Sequence, residues 1–168
     1  MQRKREGKIV ENRDFSSPED LQEFRQLVDG LLKKYSKHEL IKAIEKKDVL
    51  PLSIFNKRLS PLETVVKYLK EEMDYGFQKI SKLLNRSSKT VWQAYNFSKK
   101  KFPAKLTVEF SDYDVDISAL SNRRFSMLES IVMFLKDKKD LSFHKIALLL
   151  SRDDRTVWTV YSRAKKKK

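Results

Sequence analysis

The sequence predicts an all-α chain: two tandem trihelical units behind an N-terminal helical extension. Three observations carry this. Residues 48–101 return at 114–167 at a gapless offset of 66, and 20 of 42 positions between Ser60 and Lys101 match their partners. A repeat that long sets the architecture before local propensity is consulted. Within each copy, apolar residues recur at three- and four-residue spacing, the period of a helix with one buried face. Only 3 Gly and 4 Pro interrupt 168 residues, and alternating patterns are scarce. The chain therefore divides into an extension at 1–47, repeats at 48–101 and 114–168, and a linker at 102–113. A unit of 54 residues is marginal alone and gains from packing on its neighbour.

Residues 1–16 are polar and read as loose. Ser17-Pro18-Glu19-Asp20 opens a helix: a hydroxyl for the N-cap, proline in the first turn, and acids that match the helix dipole. Its apolar positions Leu21, Phe24, Val28, Leu31 and Tyr35 are spaced as a heptad seam about two heptads long. That seam suits either packing on the chain's own repeats or a homodimer. Ser36-Lys37-His38-Glu39 has the capping-box pattern and starts a second short helix with Leu40, Ile41 and Ile44 inward. Each repeat begins with Asp-Val (Asp48-Val49, Asp114-Val115) in an extended lead-in. Ser60-Pro61-Leu62-Glu63 and Ser126-Met127-Leu128-Glu129 are capping boxes, hydroxyl at N-cap and carboxylate three residues on. Helix A turns Leu62, Val65, Val66, Leu69 and Leu128, Ile131, Val132, Leu135 inward. Helix B is Phe77–Leu84 or Phe143–Leu150. Helix C opens near Ser87-Ser88 or Asp153-Asp154 and runs into a lysine cluster. The linker carries Pro103 and an alternating Leu106-Thr107-Val108-Glu109-Phe110, either a short strand or an extended strap.

Formal net charge is +14, and its distribution is more telling than its size. The four segments carry +3, +6, −1 and +6, so the excess lies in the repeats. Asn85–Lys101 holds five basic residues and no acid; the matching stretch holds Arg152, Arg155, Arg163 and Lys165 to Lys168 against Asp153 and Asp154. Such charge suits a polyanion, or a solvated tail at the terminal lysines. Cys 0 removes disulfides and thiolate chemistry and suits a reducing cytoplasm. No apolar run approaches the ~20 residues of a membrane span. The basic start Met1-Gln2-Arg3-Lys4-Arg5 lacks the apolar stretch of a secretory signal. Catalytic constellations are absent: His38 and His144 sit on different elements, no Gly-rich phosphate loop exists, and no cofactor or metal site is expected. His144 reads as a surface residue. The acid pairs Glu71-Glu72 and Asp153-Asp154 fall at a helix end and a helix start, where solvation or capping is the default. A non-enzymatic protein is expected.

A helix-turn-helix needs an apolar face on helix B, a tight turn, and an apolar residue early in helix C that locks the crossing. Ile80, Leu83, Leu84 and Ile146, Leu149, Leu150 supply the first. Val91 with Tyr95, and Val157 with Tyr161, supply the last at i and i+4. Ser81 and Ala147 are small where the helices should approach closest. With these residues in place, the second repeat resembles the promoter-reading C-terminal domain of sigma factors, above all the extracytoplasmic-function class. The matching residues are Leu141-Ser142-Phe143, Ile146-Ala147, Leu150, Thr156-Val157 and Arg163-Ala164-Lys165-Lys166. The first repeat matches through Phe77, Ile80, Leu84, Thr90-Val91 and Lys99-Lys100. The resemblance spans about 27 residues per repeat and identifies a module. It implies a trihelical DNA-binding fold with the Thr and basic ends of helix C near phosphates. Two places depart from the family. Its Gly–aliphatic turn is Asn85-Arg86 or Ser151-Arg152 here. Its polar base-facing triplet becomes Trp92-Gln93-Ala94 or Trp158-Thr159-Val160, poor in groups that make bidentate base contacts. Nothing resembles the sigma domain that melts promoters, so a complete sigma factor is not expected.

The expectation is thus a double-stranded DNA-binding protein, a transcription regulator or chromatin-organising protein of the cytoplasm, associated with the nucleoid. The expected contact residues are Arg86, Lys89, Thr90, Gln93, Lys99 and Lys100 in the first module. In the second they are Arg152, Arg155, Thr156, Thr159, Arg163, Lys165 and Lys166. Arg86 and Arg152 either grip phosphate or pair with a local acid such as Asp154. Trp92 and Trp158 either meet a thymine methyl or sugar, or pack against helix A or the other repeat. Shared chain direction suits direct half-sites, with the rotation between repeats left open. The alternative is an adaptor that docks a transcription-machinery protein on an apolar helix-C face of Trp92, Ala94, Trp158 and Val160.

Overall fold

The computed structural model describes residues 18–37, 40 and 49–167. Among them the chain is almost entirely helical, with seven helices and one two-stranded ladder. None of these helices is long and apolar enough to cross a membrane. The chain divides into two compact units, Met1–Glu45 and Lys46–Lys168. In the first, α1 spans Pro18–Leu32. Leu21, Phe24 and Tyr35 of its heptad seam are exposed, while Val28 and Leu31 are half-buried. Of the expected second helix, the Leu40 N–H bonds the Ser36 carbonyl at 3.1 Å. The expected loose segment 1–16, the N-cap Ser17, and His38, Glu39, Ile41, Ile44, Asp48 and Lys168 lie outside the described residues.

The second unit holds both repeats. The first runs β1 (Val49–Leu50), a 3-10 turn (Leu52–Ile54), α2 (Pro61–Glu71), α3 (Phe77–Leu84) and α4 (Ser88–Lys101). The other runs β2 (Val115–Asp116), a 3-10 turn (Ile117–Leu120), α5 (Met127–Asp137), α6 (Phe143–Leu149) and α7 (Asp154–Lys166). Both expected capping boxes form. The Ser60 hydroxyl accepts from the Glu63 N–H while the Glu63 carboxylate accepts from the Ser60 N–H, and Ser126 and Glu129 repeat the exchange. Each of these carboxylates has a second use: Lys101 Nζ lies 2.7 Å from Glu63 and Lys167 Nζ 2.7 Å from Glu129. One side chain thereby ties the start of a repeat's first helix to the end of its third.

Equivalent residues fill equivalent places in one continuous core. Val65, Val66, Leu69, Ile80, Leu84 and Val91 are fully buried, and so are Ile131, Val132, Leu135, Ile146, Leu150 and Val157. Each such side chain contributes about 1.5–3 kcal/mol by leaving water. Lys67 breaks the match, standing where the second repeat has Met133. Its side chain is wholly buried, and its ammonium meets Glu71 at 2.7 Å, an arrangement that offsets much of the desolvation cost of the charge. The linker is a strap, not a strand. Leu106 is buried, and the Glu109 N–H donates to Ser53 Oγ at 2.8 Å. The strands form instead in the two Asp-Val lead-ins.

The relation between the repeats differs from a simple translation, which would set β1 and β2 parallel. The ladder is antiparallel, with Val49 opposite Asp116 and Leu50 opposite Val115. Shifting the first pair by 66 residues yields the second, so the ladder maps onto itself about a local two-fold axis. The arginines of the two turns repeat this reciprocity. Arg86 Nη2 donates to the Phe125 carbonyl at 2.8 Å, and Arg152 Nη2 donates to the Leu59 carbonyl at 2.8 Å. Arg152 Nη1 adds a bond to the Asn56 carbonyl at 2.9 Å. α2 also packs on α5, and α3 on the 3-10 turn of the second repeat. Residue i of one repeat meets residue j of the other, and the reverse holds as well, the signature of a dimer-like interface inside one chain.

Two predictions follow from these linkages. Removing either arginine leaves carbonyls without their charged donors, worth roughly 1.5–3 kcal/mol of stability. In urea denaturation Arg152→Ala should lose more than Arg86→Ala, because it makes two cross-repeat bonds and not one. Equal stability of both variants and the native chain would refute the clamp. The second concerns pH. Burial works to raise the Glu63 and Glu129 pKa values, but the hydrogen bonds and charges of Lys101 or Lys167 and the cap N–H outweigh it and hold both below the ordinary carboxylate value. A folded pKa below the unfolded one gives stability that is fully present above the ordinary carboxylate value and is lost as pH falls from there through the lowered folded pKa. Tm should therefore drop on acidification, and Glu63→Gln with Glu129→Gln should flatten the drop. An unchanged pH profile in the double variant would contradict this.

Candidate nucleic-acid interface

α3 and α4 meet through a turn that needs one left-handed residue. Asn85 supplies it at φ 50°, and Ser151 does so at φ 51° between α6 and α7. The next residue closes the turn, Arg86 N–H to the Ser81 carbonyl at 3.0 Å and Arg152 N–H to the Ala147 carbonyl at 2.9 Å. Asparagine tolerates this conformation better than most residues, whereas serine is held there by its surroundings. Ser151 Oγ donates to the Phe55 carbonyl at 3.2 Å, across to the other repeat. The turn thus forms without a glycine in either repeat. The arginine that follows reaches the neighbouring repeat. Among the described residues neither Arg86 nor Arg152 pairs with an acid; their partners are carbonyls, and their role in the fold is that of a clamp.

The third helix of each repeat is capped and locked in the same way. Ser87 accepts from the Thr90 N–H at 3.1 Å, and Asp153 from the Thr156 N–H at 2.8 Å. Both threonine hydroxyls are drawn into the caps, to Ser87 Oγ at 2.8 Å and to Asp153 at 2.8 Å. The Thr156 hydroxyl and N–H keep the Asp153 carboxyl below its ordinary pKa. One turn on, Val91 and Val157 are buried, and Tyr95 and Tyr161 stack at a tilt on Phe77 and Phe143, centroids 5.6 and 5.3 Å apart. These contacts fix which side of each helix faces outward.

On α4 the outward strip is Lys89, Trp92, Gln93, Phe97 and Lys100, all exposed, with half-buried Asn96 between. On α7 the same positions hold Arg155, Trp158, Thr159, Arg163 and Lys166, with Ser162 between; Thr159 and Ser162 are half-buried and the others exposed. Trp92 is 55% exposed and Trp158 57%, so the packed-indole alternative does not describe them. The indoles miss helix A because the side of the helix facing it is filled by Val91 and Ala94, or by Val157 and Ala164. Ala94 is buried and Val160 half-buried, so neither joins the tryptophans in an apolar surface. Thr159 donates its hydroxyl to the Arg155 carbonyl at 2.7 Å. Lys165 is held by Asp137 at 3.0 Å, which raises its pKa, while Lys99 sits 5.7 Å from the Tyr95 ring centre. His144 Nδ1 lies 2.9 Å from Asp154. No group of metal-binding side chains occurs among the described residues.

The structure therefore brings Lys89, Gln93 and Lys100 onto one strip, and Arg155, Thr159, Arg163 and Lys166 onto the other. Thr90 and Thr156 lie at the helix starts, and Lys99 and Lys165 at the flanks. Sequence reasoning omitted Asn96, Phe97 and Ser162, although their i+3 and i+4 spacing from Trp92, Gln93, Trp158 and Thr159 marks the same side. Comparisons with family models, curated proteins and solved structures give no match for this chain.

Both tryptophans of the chain lie on these strips, so tryptophan fluorescence, excited selectively over tyrosine, reports on them alone. Emission should be that of water-exposed indole and yield readily to acrylamide. Trp92→Ala and Trp158→Ala should change stability by less than about 0.5 kcal/mol, as surface substitutions do. Emission resistant to quenching, or a large loss of stability, would show the indoles to be buried.

Proposed function

We propose that the chain binds double-stranded DNA through two helix-turn-helix modules, α3–α4 and α6–α7, as a transcription regulator or chromatin-organising protein. One observation carries the reading: the same strip of cation, indole, polar side chain and cation recurs on the outward side of both third helices. A helix of this kind fits a major groove, its ends gripping phosphate and its middle facing base edges. Lys89, Lys100, Arg155, Arg163 and Lys166 supply the phosphate contacts, with Lys99 and Lys165 at the flanks. Arg86 and Arg152 act indirectly by fixing the modules. The indoles lie against sugars or thymine methyls. Gln93 has the one fully exposed amide on these strips, Asn96 beside it is half-buried, and the Thr159 hydroxyl is engaged by a backbone carbonyl, so backbone contacts outweigh base reading.

The rival is an adaptor for a protein of the transcription machinery. Its surface required Trp92, Ala94, Trp158 and Val160 together. Burial of Ala94 and the cations beside each indole favour a polyanion instead. Fluorescence anisotropy on a random-sequence duplex at several salt concentrations separates the two. Affinity should fall with a log–log slope near ~−5 for six or so phosphates, and each of Lys100→Ala, Arg155→Ala and Arg163→Ala should make the slope shallower by about one. Salt-insensitive affinity, or none, would favour the adaptor.

A further inference from the structure

We infer that the two modules read inverted half-sites on a single duplex, so that the target is an imperfect palindrome; this rests on the DNA-binding reading. Three separate contacts carry the inference. The β1–β2 ladder maps onto itself under the offset of 66. The two turn arginines cross reciprocally to equivalent carbonyls, Phe125 and Leu59. The equivalent helices α2 and α5 pack on each other. A translation between repeats would give parallel lead-in strands and a head-to-tail contact in which only one arginine found its carbonyl. The observed contacts require a local two-fold rotation, which relates α4 to α7 and reverses whatever part of their course lies across the axis.

Duplex DNA has local two-fold axes of its own, perpendicular to its length. Two readers related by a two-fold axis meet equal geometry only on half-sites related by one, the logic that matches dimeric readers to palindromic operators. Here the axis relates parts of one chain, and the parts are not identical. Gln93 and Phe97 face one half-site where Thr159 and Arg163 face the other. The α4 start carries Ser87 and Ser88 where the α7 start carries Asp153 and Asp154. The two arms should therefore share an orientation rule but not a base sequence. Spacing between them should also be narrow, because the arginine clamp and the shared core hold the modules to one another.

The test uses the full chain and selection from a random duplex library, followed by binding to defined duplexes. Enrichment should yield two arms in inverted order at one centre-to-centre spacing. Reversing one arm to make a direct repeat should weaken binding about tenfold or more, the scale of one or two mismatched base pairs. Gln93→Ala should alter base preference in one arm only, and Thr159→Ala in the other. Selection of a direct repeat, of one arm alone, or of two duplexes per chain by mass photometry would overturn the inference, as would retention of duplexes without any shared motif. Failure to retain any duplex at low salt would instead sink the DNA-binding reading beneath it.

Discussion

Helix α2 is buried at every residue from Glu63 through Leu69, and a single trihelical unit cannot cover a helix on all sides. α4 packs on one side of it and α5 of the second repeat on another. The second repeat has the same need, with Ile131, Val132 and Leu135 of α5 buried. Each repeat therefore completes the other's core. A unit of this size buries too little apolar surface by itself, which is why the two fuse into one compact body. The two-fold relation satisfies both needs at once, since one mutual contact serves each first helix.

Placing the first helices at the centre pushes the third helices outward. Their inward residues, Val91, Ala94, Val157 and Ala164, close the core. Their outward residues carry cations and both tryptophans into solvent. The capping-box carboxylates extend this order along each repeat, because Glu63 and Glu129 hold lysines at the far ends of α4 and α7. Some of the positive charge is matched within the fold, that of Lys67 in the core and that of Lys101, Lys165 and Lys167 at its surface by Glu63, Asp137 and Glu129. The charge left on the outward strips is smaller than the composition suggests, but it is set on rigid helices at matching positions.

The two turns carry the link between the repeats. Asn85 and Ser151 take the left-handed position usually given to glycine, and the turn closes normally around them. The residue that follows is an arginine in both repeats. Its stem leads toward the partner repeat, and its guanidinium fork finds the carbonyls that end the opposite lead-in, before α5 or α2 begins. The residue that closes each turn is thereby the link between the two repeats.

Local features were legible in the sequence because each depends on neighbours within a few residues. The offset of 66, the capping boxes at Ser60 and Ser126, the limits of α3, and the burial of Val65, Val66, Leu69, Ile131, Val132 and Leu135 follow from spacing alone, whereas the burial of Thr64, Lys67 and Ser130 does not. Cations and polar groups on helix C were visible in the same way, and the helical period could have added Asn96, Phe97 and Ser162. Tertiary structure decided what the arginines meet and where the indoles point. An arginine's donors suit phosphate, carboxylate and carbonyl alike, so residue type cannot choose among them. Arg86 finds its carbonyl 39 residues away and Arg152 finds its own 93 and 96 residues away. Trp92 and Trp158 are exposed because smaller neighbours fill the core side of their helices, a competition for space that period alone does not rank. The rotation between the repeats was likewise settled only by the pairing of β1 with β2 and of α2 with α5, since a tandem repeat in sequence is compatible with any rotation in space.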